Sequence, residues 1–246
     1  MDSEQAFRFD ADVAARANGV PFQYLLGTAS FYGREFAVGP GVFIPRPETE
    51  ILIDAVLNLL VGTLARGQSS RSGVPGDELS SPLIVDVGTG CGAIAITLVL
   101  EHPGLRVLAT DRSSHALSFA RRNAQRLQAP ISFLQGDLAA PLATDSVDLM
   151  VANLPYLDSS ASSSWPRELY WEPWLALDGG EGGLVSIREL FQQACSVLKS
   201  GGFLILEIGA DQADQAGTFA KAHGFRVDRI VPDLAGLERI VVLWKS

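Results

Sequence analysis

The chain has 246 residues, 47% of them hydrophobic and 19% charged, which excludes a disordered or fibrous protein and leaves room for one full domain with a modest appendage. A formal charge of -9 and a pI near 4.8 oppose loose, phosphate-driven binding to nucleic acid. The two cysteines, Cys91 and Cys195, are far apart and lack metal-ligand spacing, so neither a disulfide framework nor a zinc site is indicated.

In chain order, the opening MDSEQAFRFD has no basic start followed by an apolar core, and no apolar run reaches membrane-spanning length. A cytoplasmic protein with no membrane, metal or direct nucleic-acid partner is expected; a monomer is favoured. A short helix should end near Gly19 and Pro21, followed by a second apolar turn over 22–26. Residues 31–38 suit a hairpin around Gly33-Arg34, and Gly39-Pro40-Gly41 breaks regular structure. The loop VFIPRPETE (42–50) follows. Residues 51–61 then predict a buried helix, with Thr49 as N-cap and Glu48 and Glu50 near its positive end. The expected organisation is 1–66 for this helix, hairpin and helix segment, a Gly/Ser/Pro-rich flexible linker over 67–81, and a main domain over 82–246.

From residue 83 strands and helices alternate: strand 83–87, helix from Ala93, strand 106–110, helix from Ser113, strands 131–135 and 147–153, and a long loop. Helix 184–198, strand 203–208, helix 212–223 and strands 225–231 and 239–244 complete the chain. Such alternation means an α/β fold with a mostly parallel sheet covered on both faces. The last two strands are joined too closely for a helix between them, so they form a hairpin and one of them is antiparallel.

Asp86-Val87-Gly88-Thr89-Gly90-Cys91-Gly92 follows the first of these strands and opens the next helix at Ala93 and Ile94. Glycines there let the backbone approach a ligand closely; the competing reading is a tight turn that needs positive φ. Asp111, ending the second strand, is spaced to accept hydrogen bonds from both ribose hydroxyls of an adenosine cofactor. The loop reads GxGxG with Asp86 ahead of it, unlike the GxGxxG pyrophosphate cradle, which favours S-adenosyl-L-methionine over a dinucleotide. Asp137 is placed to accept from the adenine amino group with Leu138 against the ring, or else closes a strand as an Asx turn.

Asn153-Leu154-Pro155-Tyr156 ends the fourth strand, in the crevice where open α/β sheets bind ligands. An amide nitrogen is a poor nucleophile because its lone pair is delocalised. The Asn153 side-chain oxygen and the Leu154 carbonyl can each accept one N–H of a substrate NH2 and aim its nitrogen at an electrophilic methyl. Pro155 holds Leu154 extended, and Tyr156 offers a flat face to a planar group. A plain strand-ending turn would carry the same residue types.

Four stretches together carry a resemblance: VFIPRPETE (42–50), DVGTGCGAIAI (86–96), ANLPY (152–156), and EPWLALDGGEGGL (172–184) leading to LEIGADQ (206–212). The chain resembles the protein N(5)-glutamine methyltransferases that modify peptide chain release factors, from Pro21 onward. The resemblance implies a class I S-adenosylmethionine-dependent methyltransferase fold with a Rossmann-like seven-stranded sheet. It also implies S-adenosylmethionine as donor and the glutamine of the release-factor Gly-Gly-Gln loop as acceptor. By the same resemblance, Gly88 to Ile94, Asp111 and Leu138 line the cofactor, and Asn153 to Tyr156 hold the substrate amide. Arg46 and Glu50 lie on a loop that borders the active site in the family, their role there open; Arg46 equally suits a structural ion pair with Glu48 or Glu50. Glu172 and Trp174 either shape a peptide channel or anchor a loop. Two departures stand out: Leu154 replaces the family's first proline, and about one helix precedes the hairpin where the family has a longer N-terminal helical domain.

Two other readings compete. A nucleic-acid amino-methyltransferase would use the same tetrad on a flipped-out base, and a basic groove around Asn153 would favour it. A non-catalytic protein that binds S-adenosylmethionine would need none of Asn153, Pro155 and Tyr156.

Overall fold

A computed structural model of the chain describes residues 2–65 and 81–246. The expected linker over 67–81 therefore lies outside the described residues, apart from Ser81.

Helix α1 (Ser3–Ala17) begins where sequence chemistry asks it to: the Asp2 side chain accepts from the Gln5 backbone N–H at 2.8 Å, and the Gln5 side chain accepts from Asp2 N–H at 3.1 Å. Short helix α2 (Phe22–Leu26) ends at left-handed Gly27, which releases the chain into a hairpin of β1 (Thr28–Phe31) and β2 (Arg34–Ala37). The hairpin thus begins three residues before the expected Phe31. Its tight turn is Tyr32-Gly33, both at positive φ (48° and 69°), one residue before the expected Gly33-Arg34. A 3₁₀ turn (Pro47–Thr49) leads into α3 (Glu50–Ala65).

The main sheet has seven strands: β3 (Leu83–Val87), β4 (Arg106–Asp111), β5 (Ser132–Gln135), β6 (Val147–Asn153), β7 (Leu198–Glu207), β8 (Phe225–Pro232) and β9 (Glu238–Lys245). Their order is β5-β4-β3-β6-β7-β9-β8, and only β9 runs opposite to the other six, as the closing hairpin requires. Helices α4 (Ala93–Glu101), α5 (Ser114–Leu127), α6 (Val185–Val197) and α7 (Ala213–Ala222) alternate with the strands. The Ser113 hydroxyl caps α5 by accepting from Ala116 N–H. Strand β7 starts five residues before the expected 203, because Leu198 already pairs with Val147 and the register then shifts around Gly201, at φ +76°.

The sheet separates two apolar layers. On one face α4 and α5 pack with α3 and the β1–β2 hairpin; on the other lie α6 and α7. Phe31, Phe36, Val42, Ile44, Leu52, Ile53 and Val56 share one buried cluster with Ile84, Leu98 and Val151, so these residues of the 1–66 segment belong to the core of the main domain. Buried Asn123 fastens it: its side-chain oxygen accepts from Ala37 N–H (2.7 Å), and its amide donates to the carbonyls of Ala37 (3.0 Å) and Cys91 (2.9 Å). This ties the end of β2 to the turn after β3. Strand order reverses at β3, whose neighbours are β4 and β6, so the crevice beyond the carboxyl ends of β3 and β6 is the place for a ligand.

Candidate active site

That crevice is a cavity of about 340 Å³. Its wall brings together Gly88, Thr89, Gly90, Cys91, Ala93, Ile94, Asp111, Asp137, Leu138 and Asn153 through Tyr156. Residues distant in sequence join them from the other side: Val42, Phe43, Arg46 and Thr49 from the loop before α3, and Leu175 to Asp178 from the segment after β6.

The turn after β3 is built by backbone geometry. Gly88, Gly90 and Gly92 all have positive φ, and a Cβ on Gly92 would sit 2.9 Å from the Ile96 side chain and 3.2 Å from that of Ala120, where α4 and α5 meet. Gly88 and Thr89 N–H both donate to the Thr110 carbonyl at 2.9 Å, pinning the turn to β4. Asp111 reaches back: one carboxylate oxygen accepts from Gly90 N–H (2.9 Å), the other from Ser113 N–H (2.8 Å). Burial raises its pKa despite these bonds. Each oxygen keeps a lone pair for a ligand in the cavity.

Two of the expected cofactor contacts are placed elsewhere. Gly92 caps α4, and Asp86 is fully buried behind the turn; neither lines the cavity. One Asp86 oxygen accepts from the Thr89 hydroxyl (2.6 Å) and Ala95 N–H (3.1 Å), and the other has no hydrogen-bond partner among the described residues. Burial pushes its carboxyl up to about 7. Asp86 therefore shapes the turn from within. Burial likewise pushes the Cys91 thiol up to about 12, so it stays protonated and unreactive near neutrality.

Leu138 lines the cavity with a positive φ of 49°, and its carbonyl accepts from the Thr110 hydroxyl at 2.9 Å. Asp137 stands beside it, its backbone carbonyl closing a turn with Ala140 N–H.

At the end of β6, Asn153 Nδ2 donates to the Thr49 hydroxyl oxygen at 2.9 Å, which leaves Oδ1 as the amide's acceptor. Thr49, expected as a helix cap, thus ends a 3₁₀ turn with its hydroxyl oxygen committed to Asn153. The buried Leu154 side chain approaches Gly88, whose Cβ would lie 3.0 Å from Leu154 Cδ2. This leucine joins the tetrad to the glycine turn by packing. Tyr156 is held at both ends: its carbonyl accepts from Gln212 Nε2 (3.0 Å) and its phenol faces Glu207 Oε1 (3.4 Å). Gly183 presses on the same carbonyl so closely that a Cβ there would sit 2.0 Å from it.

The rim is fastened by ion pairing and ring stacking. Arg46 pairs with the buried carboxylate of Glu172 and not with Glu48 or Glu50; Glu172 also accepts from Ile44 N–H at 3.0 Å. Arg46 lies 4.7 Å from the Phe43 ring centroid, and Glu50 instead accepts from Tyr32 N–H at 2.7 Å. Trp174 stacks on Trp165 at 4.9 Å and donates to Asp178 at 2.9 Å. Glu207 and Gln212 lie in the LEIGADQ stretch without a role that the sequence assigns, and Asn123 carries no motif at all. A carboxylate at the end of the apolar run FLILE was the available signal for Glu207, since glutamate is almost never fully buried without a task.

Residues 54–167 match the family model of the methyltransferase small domain. Over 243 residues the chain is 40% identical to the release factor glutamine methyltransferase of Moorella thermoacetica, covering 98% of this chain and 80% of the relative. It is 39% identical over 245 residues to the enzyme of that description from Neisseria gonorrhoeae, covering 98% and 83%. A crystal structure of a methyltransferase from Pyrococcus furiosus shares the fold with a TM-score of 0.60 at 15% identity, over 99% of this chain and 98% of that one.

Proposed function

The chain belongs to the release factor glutamine methyltransferase family, and we propose that it transfers a methyl group from S-adenosylmethionine to the side-chain amide nitrogen of a glutamine, that of the Gly-Gly-Gln loop of peptide chain release factors. Its fold is the class I S-adenosylmethionine-dependent methyltransferase fold. The observation that carries the reading is one cavity walled by both the glycine turn with Asp111 and the Asn153–Tyr156 tetrad.

The cavity suits S-adenosylmethionine: its volume falls in the roughly 300–1,000 Å³ range of small-molecule sites, and its hydrogen-bond acceptors match an adenosine. The carboxylate oxygens of Asp111 would accept from the two ribose hydroxyls, Asp137 would accept from the adenine amino group, and Leu138 would cover the ring. Gly88 to Cys91, with Ala93 and Ile94, would give the methionine part close backbone approach. When bound, S-adenosylmethionine supplies an electrophilic methyl on a cationic sulfur. Asn153 Oδ1 and the Leu154 carbonyl each accept one hydrogen of the substrate NH2, which orients the nitrogen lone pair and favours the more positive nitrogen of the transition state. Tyr156 stacks on the planar amide. The nitrogen becomes acidic as its new C–N bond forms, so its extra proton leaves after transfer and no strong base is needed beforehand. The free thiols Cys91 and Cys195 fit action in a reducing cytoplasm.

A nucleic-acid amine is the weaker acceptor. The cavity wall carries Arg46 and Arg112 against Asp111, Asp137, Asp178 and Glu189, an acidic balance unsuited to a phosphate backbone. The experiment is methyl transfer from labelled S-adenosylmethionine to a release factor and to its Gly-Gly-Gln→Gly-Gly-Ala form: label in the first and none in the second is expected. Label on neither, with the donor bound, would refute the acceptor.

A further inference from the structure

Asn153 presents a chemical choice, because an amide turned by 180° would offer the substrate NH2 a donor where an acceptor is required. In the structure its Nδ2 donates to Thr49 Oγ1 at 2.9 Å, and Thr49 is itself buried. A hydroxyl that accepts from Asn153 must send its single hydrogen elsewhere. Beside Thr49 lies Glu207, the last residue of β7 and 1% exposed, whose Oε2 has no hydrogen-bond partner among the described residues and whose Oε1 faces the Tyr156 phenol. The unpartnered acceptor and the unassigned hydroxyl hydrogen are complementary, and a hydrogen bond from Thr49 would favour the ionised form of this carboxylate.

We propose that Glu207 and Thr49 are positioning residues that set the polarity of Asn153: the Glu207 carboxylate takes the Thr49 hydroxyl hydrogen, Thr49 Oγ1 therefore accepts from Asn153 Nδ2, and Asn153 Oδ1 is turned toward the substrate amide. The chain of donors runs one way only. Were Glu207 neutral, it would donate to Thr49, whose hydrogen would be free to point at Asn153 and turn its amide over. The groups facing Glu207 are Thr49 and Glu48 of the 3₁₀ turn, Tyr156 after β6, and Arg239 of β9, which is itself paired to Asp233 at 3.0 Å. Burial and Glu48 favour the neutral acid; Thr49, Arg239 and Tyr156 favour the anion; the balance puts the carboxyl at about 7.

The effect on turnover rests on the glutamine-methylation reading, but the orientation of Asn153 is measurable without any acceptor. The side-chain amide of Asn153, assigned in nitrogen-15 spectra by its loss in Asn153→Asp, should shift in both Glu207→Gln and Thr49→Val and return in Thr49→Ser. A signal unmoved in both would overturn the proposal whatever the substrate is. With a release factor that wild-type enzyme methylates, Glu207→Gln and Thr49→Val should lower kcat roughly ten- to hundredfold, with KM and S-adenosylmethionine affinity changed less than about threefold and activity recovered in Thr49→Ser. Glu207→Gln should also lose the acid limb of the kcat profile near pH 7. Wild-type kcat in both variants, or a rise in KM alone, would overturn the assignment; no methylation by wild type would strike the function reading and leave the spectra to judge this one. If Glu207→Gln does not fold, Thr49→Val and Thr49→Ser carry the same test.

Discussion

The guanidinium of Arg46 is held against the buried carboxylate of Glu172, joining the loop before α3 to the segment after β6 across 126 positions of sequence. The same carboxylate takes the Ile44 N–H. Glu172→Ala removes the acceptor from both and should cost about 2–3 kcal/mol in urea unfolding, below the usual loss for a fully buried pair because Arg46 is partly exposed. Glu172→Gln keeps an acceptor for Ile44 and should cost less than half as much. Equal losses would mean that the ion pair, and not the backbone bond, dominates.

Asp111 anchors Gly90 and Ser113 while keeping acceptor capacity for a ribose. Asp111→Ala should weaken S-adenosylmethionine binding by roughly 10- to 100-fold, the loss of two hydrogen bonds to a charged acceptor net of rearrangement. Calorimetric titration checks it, and an unchanged Kd would remove Asp111 from the cofactor site.

Asn123 satisfies three buried backbone groups on two separate segments. Asn123→Leu leaves all three unmatched, so unfolding should become easier by at least about 3 kcal/mol. Denaturant titration of the variant measures this; a loss below about 1 kcal/mol would mean the hairpin is held by apolar packing alone.

Burial raises the Asp86 carboxyl from its ordinary value of 3.8 to about 7. The folded chain then holds a proton there that the unfolded chain has released, so this group's contribution is complete below pH 4 and is lost as pH rises toward 7. The ligand-free protein should lose up to about 2–3 kcal/mol between pH 5 and 7 through this carboxyl. Asp86→Asn should flatten that part of the stability profile. A profile as steep as that of the wild type would assign the dependence to Glu207, which burial raises in the same direction.

Much of this was legible because it is local. Gly88, Gly90 and Gly92 sit at positive φ in a turn that few other residues could make, and the strand–helix alternation fixed the direction of most strands. The partners of the site residues were not legible. Thr49 meets Asn153 across 104 positions, and Asn123 meets Ala37 across 86. Sequence patterning reports which face of an element is buried, not which distant side chain completes its hydrogen bonds. Arg46 illustrates the limit: spacing favoured its neighbours Glu48 and Glu50, while tertiary packing placed Glu172 nearer. Asp86 shows the converse, an acidic residue in the right motif that faces inward to the turn it supports.

In the proposed reaction Asn153 Oδ1 and the Leu154 carbonyl present a glutamine amide to the methyl donor. Its most direct test is peptide mapping of a release factor after incubation with labelled S-adenosylmethionine and either wild-type or Asn153→Ala enzyme. The account predicts one methyl group on the side-chain amide of the Gly-Gly-Gln glutamine with wild type. With Asn153→Ala it predicts a rate lower by about 10²–10³-fold at unchanged donor affinity. A methyl group on any other residue, or full turnover by Asn153→Ala, would contradict it.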